Sequence, residues 1–196
     1  MGKIILLVLA STSFLFAQNP VEMIRKYCQS NFGQEFEKIL YVSIKSQKLF
    51  HIVNNVVVDE YTISSAKKGI GNIKNSDKTP LGLHAIKQKY GQKTPIYGRM
   101  IARKFEGLIA TIYQDTTSSK TDDITSRILW LEGLEDGINK GGNIDSYLRY
   151  IYIHGTSEEG KLGTPASHGC IRMSNLDVIN LFDKVKEGTK VLILDK

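Results

Sequence analysis

Cysteine is scarce in this chain, with two among 196 residues. At most one disulfide can form, so a fold held by a disulfide framework is excluded. No internal repeat and no low-complexity tract is present. No apolar run is long enough to span a bilayer comfortably. The longest, Ile4 to Ala17, is short and broken by Ser11-Thr12-Ser13. No nucleic-acid motif occurs, which argues against that partner. The spacing His154-x13-His168-x-Cys170 fits no zinc pattern, so a metal is not expected.

What is present describes an ordinary folded domain. Hydrophobic residues make up 41% and charged residues 23%, which places the chain among globular proteins. Met1-Gly2-Lys3 followed by the apolar run to Ala17 reads as a secretory signal over residues 1–17. Ala17 suits the position before cleavage, whereas Leu15 is larger than usual two residues earlier; an uncleaved anchor is the alternative. Either way the domain is expected outside the cytoplasm, in the periplasm or cell envelope.

Residues 18–36 form an expected N-terminal helical segment, with Val21 to Cys28 following Pro20. From Ile39 the hydrophobic period changes to two. Leu40, Val42 and Ile44 alternate with polar neighbours, and Lys48–Val53 and Val56–Ile63 flank Asn54-Asn55. That pattern predicts strand, then hairpin, because asparagine tolerates the left-handed turn. A turn at Thr79-Pro80-Leu81-Gly82 precedes another strand carrying His84. Further strands are expected at Gly107–Tyr113, Arg127–Leu131, Tyr150–His154 and Lys190–Leu194. Ser174 caps an expected helix through Phe182. The class is mainly β, with a short helix just past Cys170. Thr116–Asp123 reads as a polar exposed loop, Trp130 as a core aromatic, and His51 and His84 as packing or surface histidines.

Charge is uneven. Residues 67–104 contain ten Lys/Arg and one acid, Asp77, a net of +9 against +6 for the whole chain. Such a segment faces an anionic polymer or is a solvated basic surface.

The chemistry concentrates in His154-Gly155-Thr156 and Ser167-His168-Gly169-Cys170-Ile171-Arg172-Met173. A thiol becomes a useful nucleophile when a base takes its proton and a positive group stabilises the anion. His154 and His168 are both candidate bases, and Arg172 is a fixed cation. Gly169 lets a carbonyl approach main-chain N–H groups that can hold an oxyanion. The residues alone indicate a cysteine acyl-transfer site. A Cys28–Cys170 disulfide is the structural alternative, in which the thiol would be silent.

These two runs, with Thr79-Pro80-Leu81-Gly82 and Asp145-Ser146-Tyr147-Leu148-Arg149-Tyr150, resemble the L,D-transpeptidase catalytic domain family over residues 37–196. The resemblance implies a β-sandwich with a short helix after the catalytic cysteine loop, and peptidoglycan stem peptides as substrate. It implies Cys170 as nucleophile, His154 as general base and the Gly155 carbonyl as its orienting partner. It also implies that Arg172, His168, Ser167 and Gly169 line the pocket, with Arg172 gripping a substrate carboxylate. No cofactor is implied. The acceptor is an amine of a second stem or of an envelope protein. Hydrolysis by an L,D-carboxypeptidase and a non-catalytic peptidoglycan-binding role are the alternatives. Nothing in the sequence specifies an oligomeric state.

Overall fold

The structure, a computed structural model, describes residues 19–196; the expected signal segment lies outside them. Helix α1 spans Pro20–Phe32, followed by strands β1 Lys38–Ser43, β2 Lys48–Val53 and β3 Val56–Ser64. Then come β4 Gly82–Tyr90, β5 Gly98–Ile101, β6 Lys104–Ile109, β7 Ile124–Gly133, β8 Tyr152–Thr156 and β9 Ile171–Met173. Helix α2 Asn175–Lys184 and strand β10 Lys190–Leu194 complete the chain. The mainly β class, with a short helix after the cysteine turn, is as the sequence indicated. Among the described residues no helix is long and apolar enough to cross a membrane.

The strands pair in the order β4-β10-β1-β2-β3-β9-β8-β7-β5-β6, and β4 also pairs with β7. Successive pairings therefore return on themselves around one interior. The β2–β3 hairpin turns on Asn54 and Asn55, both at positive φ (51° and 61°). Mirror-image turns of this kind need such residues because they match strand twist.

Helix α1 starts where the Asn19 side chain accepts the Val21 N–H, with Pro20 in the first turn. It ends at Gly33, whose left-handed φ of 65° lets its N–H reach the Gln29 carbonyl. Its Ile24 and Cys28 pack against Ile39, Tyr41, Ile52 and Leu83, and Tyr27 Oη donates to Glu135.

The site is positioned by strand alternation on β7, β8 and β9. Leu129, Leu131, Ile151, Ile153, Ile171 and Met173 enter the main core, where Val178, Leu181 and Phe182 of α2 meet them. Each such buried side chain contributes roughly 1.5–3 kcal/mol. Because neighbours in a strand face opposite ways, Ile128, Trp130, Tyr152 and His154 lie on the other face.

Three local expectations change. Gly107–Tyr113 is not one strand. Its first part belongs to β6, which folds against β5 across Ala102-Arg103, and β6 is exposed along its length. Its apolar residues Leu108 and Ile109 therefore sit on an edge strand and not in the core. Tyr150 falls outside β8, because its positive φ of 58° breaks the extended run. The Thr116–Asp123 loop is polar, but its end turns inward, for a reason supplied by Arg172.

Candidate active site

The short parallel pairing of β8 with β9 aligns Ile153 with Ile171 and His154 with Arg172. His154 and Arg172 thus share one sheet face. Cys170 ends the turn into β9 and packs beside Met100, Ile128, Trp130 and Tyr152. Its Sγ accepts the Tyr152 N–H at 3.4 Å and lies 3.4 Å from the Tyr150 carbonyl oxygen as donor. Both cysteines are free thiols, and Cys28 is buried under α1.

The turn is braced from within. Ser167 Oγ donates to the Cys170 carbonyl at 2.6 Å and accepts the Gly169 N–H at 3.1 Å. Ser167 is buried, so it builds the turn and does not present its hydroxyl to a pocket. The Gly169 N–H is committed to that hydroxyl. Gly169 has φ +131°, where a residue with a Cβ is strained. Thr79 Oγ1 donates to the Gly169 carbonyl at 3.0 Å and accepts the Ala66 N–H at 2.9 Å. That hydroxyl explains why the Thr79-Pro80-Leu81-Gly82 turn matters so far along the chain from Cys170.

His154 is buried, and its Nδ1 lies 2.8 Å from the Gly155 carbonyl oxygen. A carbonyl can only accept, so Nδ1 carries the proton, and in the neutral ring Nε2 keeps its lone pair. Burial lowers the His154 pKa to about 4, against the opposing pull of the Gly155 carbonyl and Asp122. Burial raises the Cys170 thiol to about 11, although the Tyr152 N–H and the charges of Arg172 and Arg149 oppose it. Both shifts favour a neutral thiol and a neutral imidazole at pH 7.

Gly155 allows no side chain. A Cβ there would sit 2.7 Å from the Thr125 carbonyl oxygen and 2.9 Å from Asn175 Oδ1. Asn175, at the start of α2, is fully enclosed. Its Oδ1 accepts from Thr125 and Ser126 hydroxyls, each at 2.6 Å, and its Nδ2 donates to the Thr156 carbonyl and to Glu159. This amide has every hydrogen-bonding group satisfied and locks the backbone that carries Gly155.

Arg172 does not reach an open pocket, so the expected grip on a substrate carboxylate is not what its position offers. Its side chain is 2% exposed, with Nη1 2.8 Å from Glu158 Oε2 and Nη2 2.5 Å from Asp122 Oδ1. The Asp122 contact is off the N–H line and counts as charge contact more than hydrogen bond. A buried cation needs paired anions, which is why the loop ending at Asp122 turns inward. Burial works to raise the Asp122 pKa, but Arg172, His168 and His154 together hold the carboxyl below its ordinary value. His168 is 71% exposed and places Nδ1 2.7 Å from Asp122 Oδ2. It flanks a cavity of about 210 Å³ with Lys74, Asn75, Asp77, Arg149 and Tyr150. Part of the basic 67–104 segment therefore lines a cavity together with His168 and Tyr150.

Asp122, Glu158 and Asn175 were not singled out from the sequence. No local sequence signal marks the two acids, because they answer Arg172, whose burial depends on the long-range pairing of β8 with β9. Ser174-Asn175 read as a cap alone. His84, by contrast, is a core histidine as expected: it contacts the Gly82 carbonyl and Ser146 Oγ, each at 2.9 Å, and burial lowers its pKa to about 4. Among the described residues no group of three or more His, Cys, Asp or Glu is placed to hold a metal.

Residues 37–193 match the L,D-transpeptidase catalytic domain, the YkuD family. A 47-residue stretch is 51% identical to YqjB of Bacillus subtilis strain 168, a protein whose name places it among L,D-transpeptidases, covering 24% of this chain and 27% of that protein. A 51-residue stretch is 43% identical to YbiS of Escherichia coli K12, similarly named, covering 26% of this chain and 17% of YbiS. The match thus spans under a third of either relative's length. In fold, the chain superposes on a crystal structure of an L,D-transpeptidase from Xylanimonas cellulosilytica DSM 15894 with a TM-score of 0.50 and 21% identity, covering 82% of this chain and 62% of that one. A structure of an Ldtfm–avibactam carbamoyl enzyme gives 0.51 at 17% identity, with 83% and 50% covered.

Proposed function

The chain belongs to the L,D-transpeptidase catalytic domain family, and on that premise we propose that it is an exported cysteine acyltransferase acting on peptidoglycan stem peptides. The observation that carries this reading is the neutral His154 ring, held by the Gly155 carbonyl with Nε2 unprotonated, on the sheet face that also presents the Cys170 thiol.

With both groups neutral at rest, proton transfer accompanies attack. Cys170 passes its S–H proton to His154 Nε2 as Sγ bonds to the carbonyl carbon of the third stem residue. The Cys170 N–H supports the oxyanion. Collapse breaks the bond to the terminal D-Ala, whose amine takes the proton from His154, and leaves a thioester. A second amine then attacks the thioester carbon and gives its proton to His154. The C–S bond breaks and the proton returns to sulfur. Water in the amine's place gives L,D-carboxypeptidase chemistry from the same thioester.

Transfer is favoured over hydrolysis because an amine acceptor of a second stem has a cavity to occupy next to the cysteine turn, lined by Lys74, Asn75, Asp77, Tyr150 and His168. Incubation with disaccharide-tetrapeptide and mass spectrometry of the products decides the matter. Cross-linked dimers lacking D-Ala support transfer. Tripeptide alone at saturating acceptor assigns a carboxypeptidase, and an unchanged substrate assigns a peptidoglycan-binding protein without catalysis.

A further inference from the structure

The β5–β6 hairpin projects one arginine over the aromatic wall next to the thiol, and among the described residues no carboxylate pairs with it. Ala102 and Arg103 form the tip, at φ 46° and 68°. A two-residue turn with both positions at positive φ is tight and fixes where the Arg103 stem departs. Met100, in β5, anchors the hairpin by packing into the cluster of Ile128, Trp130 and Tyr152. From there the Arg103 guanidinium lies 4.6 Å above the Trp130 ring and 5.9 Å from the rings of Tyr90 and Tyr150. Its Nη1 donates to Tyr152 Oη at 3.3 Å.

Other arginines are answered differently. Arg99 of the same hairpin pairs with Asp123 at 2.7 Å, and Arg172 meets two carboxylates. Arg127 and Arg149 donate to main-chain carbonyls. Among the described residues Arg103 has no carboxylate in ion-pair range and a single hydrogen bond to a neutral hydroxyl. A guanidinium has five N–H donors, so most of this one's are uncommitted, while π faces hold its plane in place.

Its seat connects it to the chemistry. Tyr152 supplies the N–H that contacts Cys170 Sγ, and Tyr150 supplies the carbonyl that faces the same sulfur. Arg103 contacts the side chains of both.

We propose that Arg103 is a specificity-determining residue, the receptor for a free carboxylate of the acyl-donor peptide, presented by the β5–β6 hairpin on the Trp130–Tyr150–Tyr152 wall. The assignment rests on the stem-peptide reading of the site. Two carboxylates of such a donor could fill it, that of the terminal D-Ala and that on the side chain of the diamino acid. Either would make a charge-assisted, bidentate contact with the fork. A lysine at this position keeps the charge and loses the fork.

The chain has one tryptophan, and Arg103 lies over it, so Trp130 emission reports directly on this subsite. Three tetrapeptides are titrated into wild type, R103K and R103Q: one with free acids, one amidated at the terminal carboxylate and one amidated at the diamino-acid side chain. Binding is read from Trp130 emission and acylation of Cys170 from intact mass. The expected result is a free-acid peptide bound at least tenfold more weakly by R103Q than by wild type. One amidated peptide, whichever lacks the recognised carboxylate, then binds wild type and R103Q alike, with R103K intermediate for the free acid. Equal weakening of all three peptides in R103Q, or none, overturns the proposal. An intact emission response to the free acid with no Cys170 adduct sinks the acyltransferase reading while leaving Arg103 as a carboxylate receptor.

Discussion

Replacing Arg172 with methionine tests whether this cation is an internal brace. Methionine keeps an unbranched stem and removes the charge. The Arg172 side chain is 2% exposed, Glu158 4% and Asp122 27%, with both carboxylates at 2.8 Å or less from the guanidinium. Removing one partner of a buried pair costs about 3–5 kcal/mol when the other is left alone. Here Glu158 keeps Lys161 and Asp122 keeps His168, so the expected loss lies at the lower end of that range. A domain of ordinary stability, about 5–15 kcal/mol, survives that loss but unfolds at markedly lower urea. The loss also carries a pH signature. In the wild type, burial pushes both carboxyls up, yet Arg172, His168 and His154 hold Asp122, and Lys161, the Ser119 N–H and Arg172 hold Glu158, below the ordinary value. Their contribution is fully present above the unfolded pKa values, near 4, and is lost as pH falls through the folded ones. The gap between wild type and Arg172→Met must therefore be widest at pH 7 and narrow below about pH 4. Urea unfolding at pH 7, 5 and 3.5 measures this. A loss below about 1 kcal/mol at pH 7, or one that is constant with pH, refutes the buried-brace argument and returns Arg172 to a substrate-facing role.

Alkylation of Cys170 by iodoacetamide, followed by mass, should rise about tenfold per unit between pH 7 and 9, because the thiol is held near 11; a plateau from pH 5 to 8 would mean a preformed thiolate–imidazolium pair. His154→Ala should cut the acylation rate by about 10²–10⁴, and His168→Ala far less, since His168 is exposed and bound to Asp122; the reverse order assigns the base to His168. Gly155→Ala forces a Cβ to 2.7 Å from the Thr125 carbonyl oxygen, so a stability loss of about 1–3 kcal/mol in urea and a fall in kcat of about 10² are expected; activity near wild type would show that the Gly155 carbonyl does not orient His154.

How much was legible in the sequence depended on where each residue's partner lies. The Asn54-Asn55 hairpin and the Ser174 cap were readable because their hydrogen bonds close within a few residues. The β5–β6 hairpin was not. Its tip uses Ala102 and Arg103 where asparagine or glycine is the usual signal, and its apolar β6 residues face outward. Strand β9 spans three residues, too short for any period to register. Its placement depends on parallel pairing with β8, which is a long-range fact.

At the site, sequence displayed the candidate nucleophile and base and hid their supports. Cys170, His154 and Gly155 cluster within one signature, whereas the groups that brace them come from Thr79, Asp122, Glu158 and Asn175, outside the two runs. The division has a physical cause. A nucleophile and its base must present particular atoms, which restricts residue type and spacing. A support must only supply a donor, an acceptor or a countercharge at the right place, and any loop can bring one. Arg172 illustrates the consequence. Its residue type fits a substrate carboxylate as well as it fits an internal acid, and only burial decides between them. With Glu158 and Asp122 already on its fork, a free substrate carboxylate would have to displace an anion from a dry site, at a desolvation cost of several kcal/mol. Arg103 carries the same group at a half-open position, with no anion to displace. A carboxylate entering beside Cys170 therefore meets its favourable partner on the hairpin, and the arginine inside the signature serves the fold that holds the imidazole.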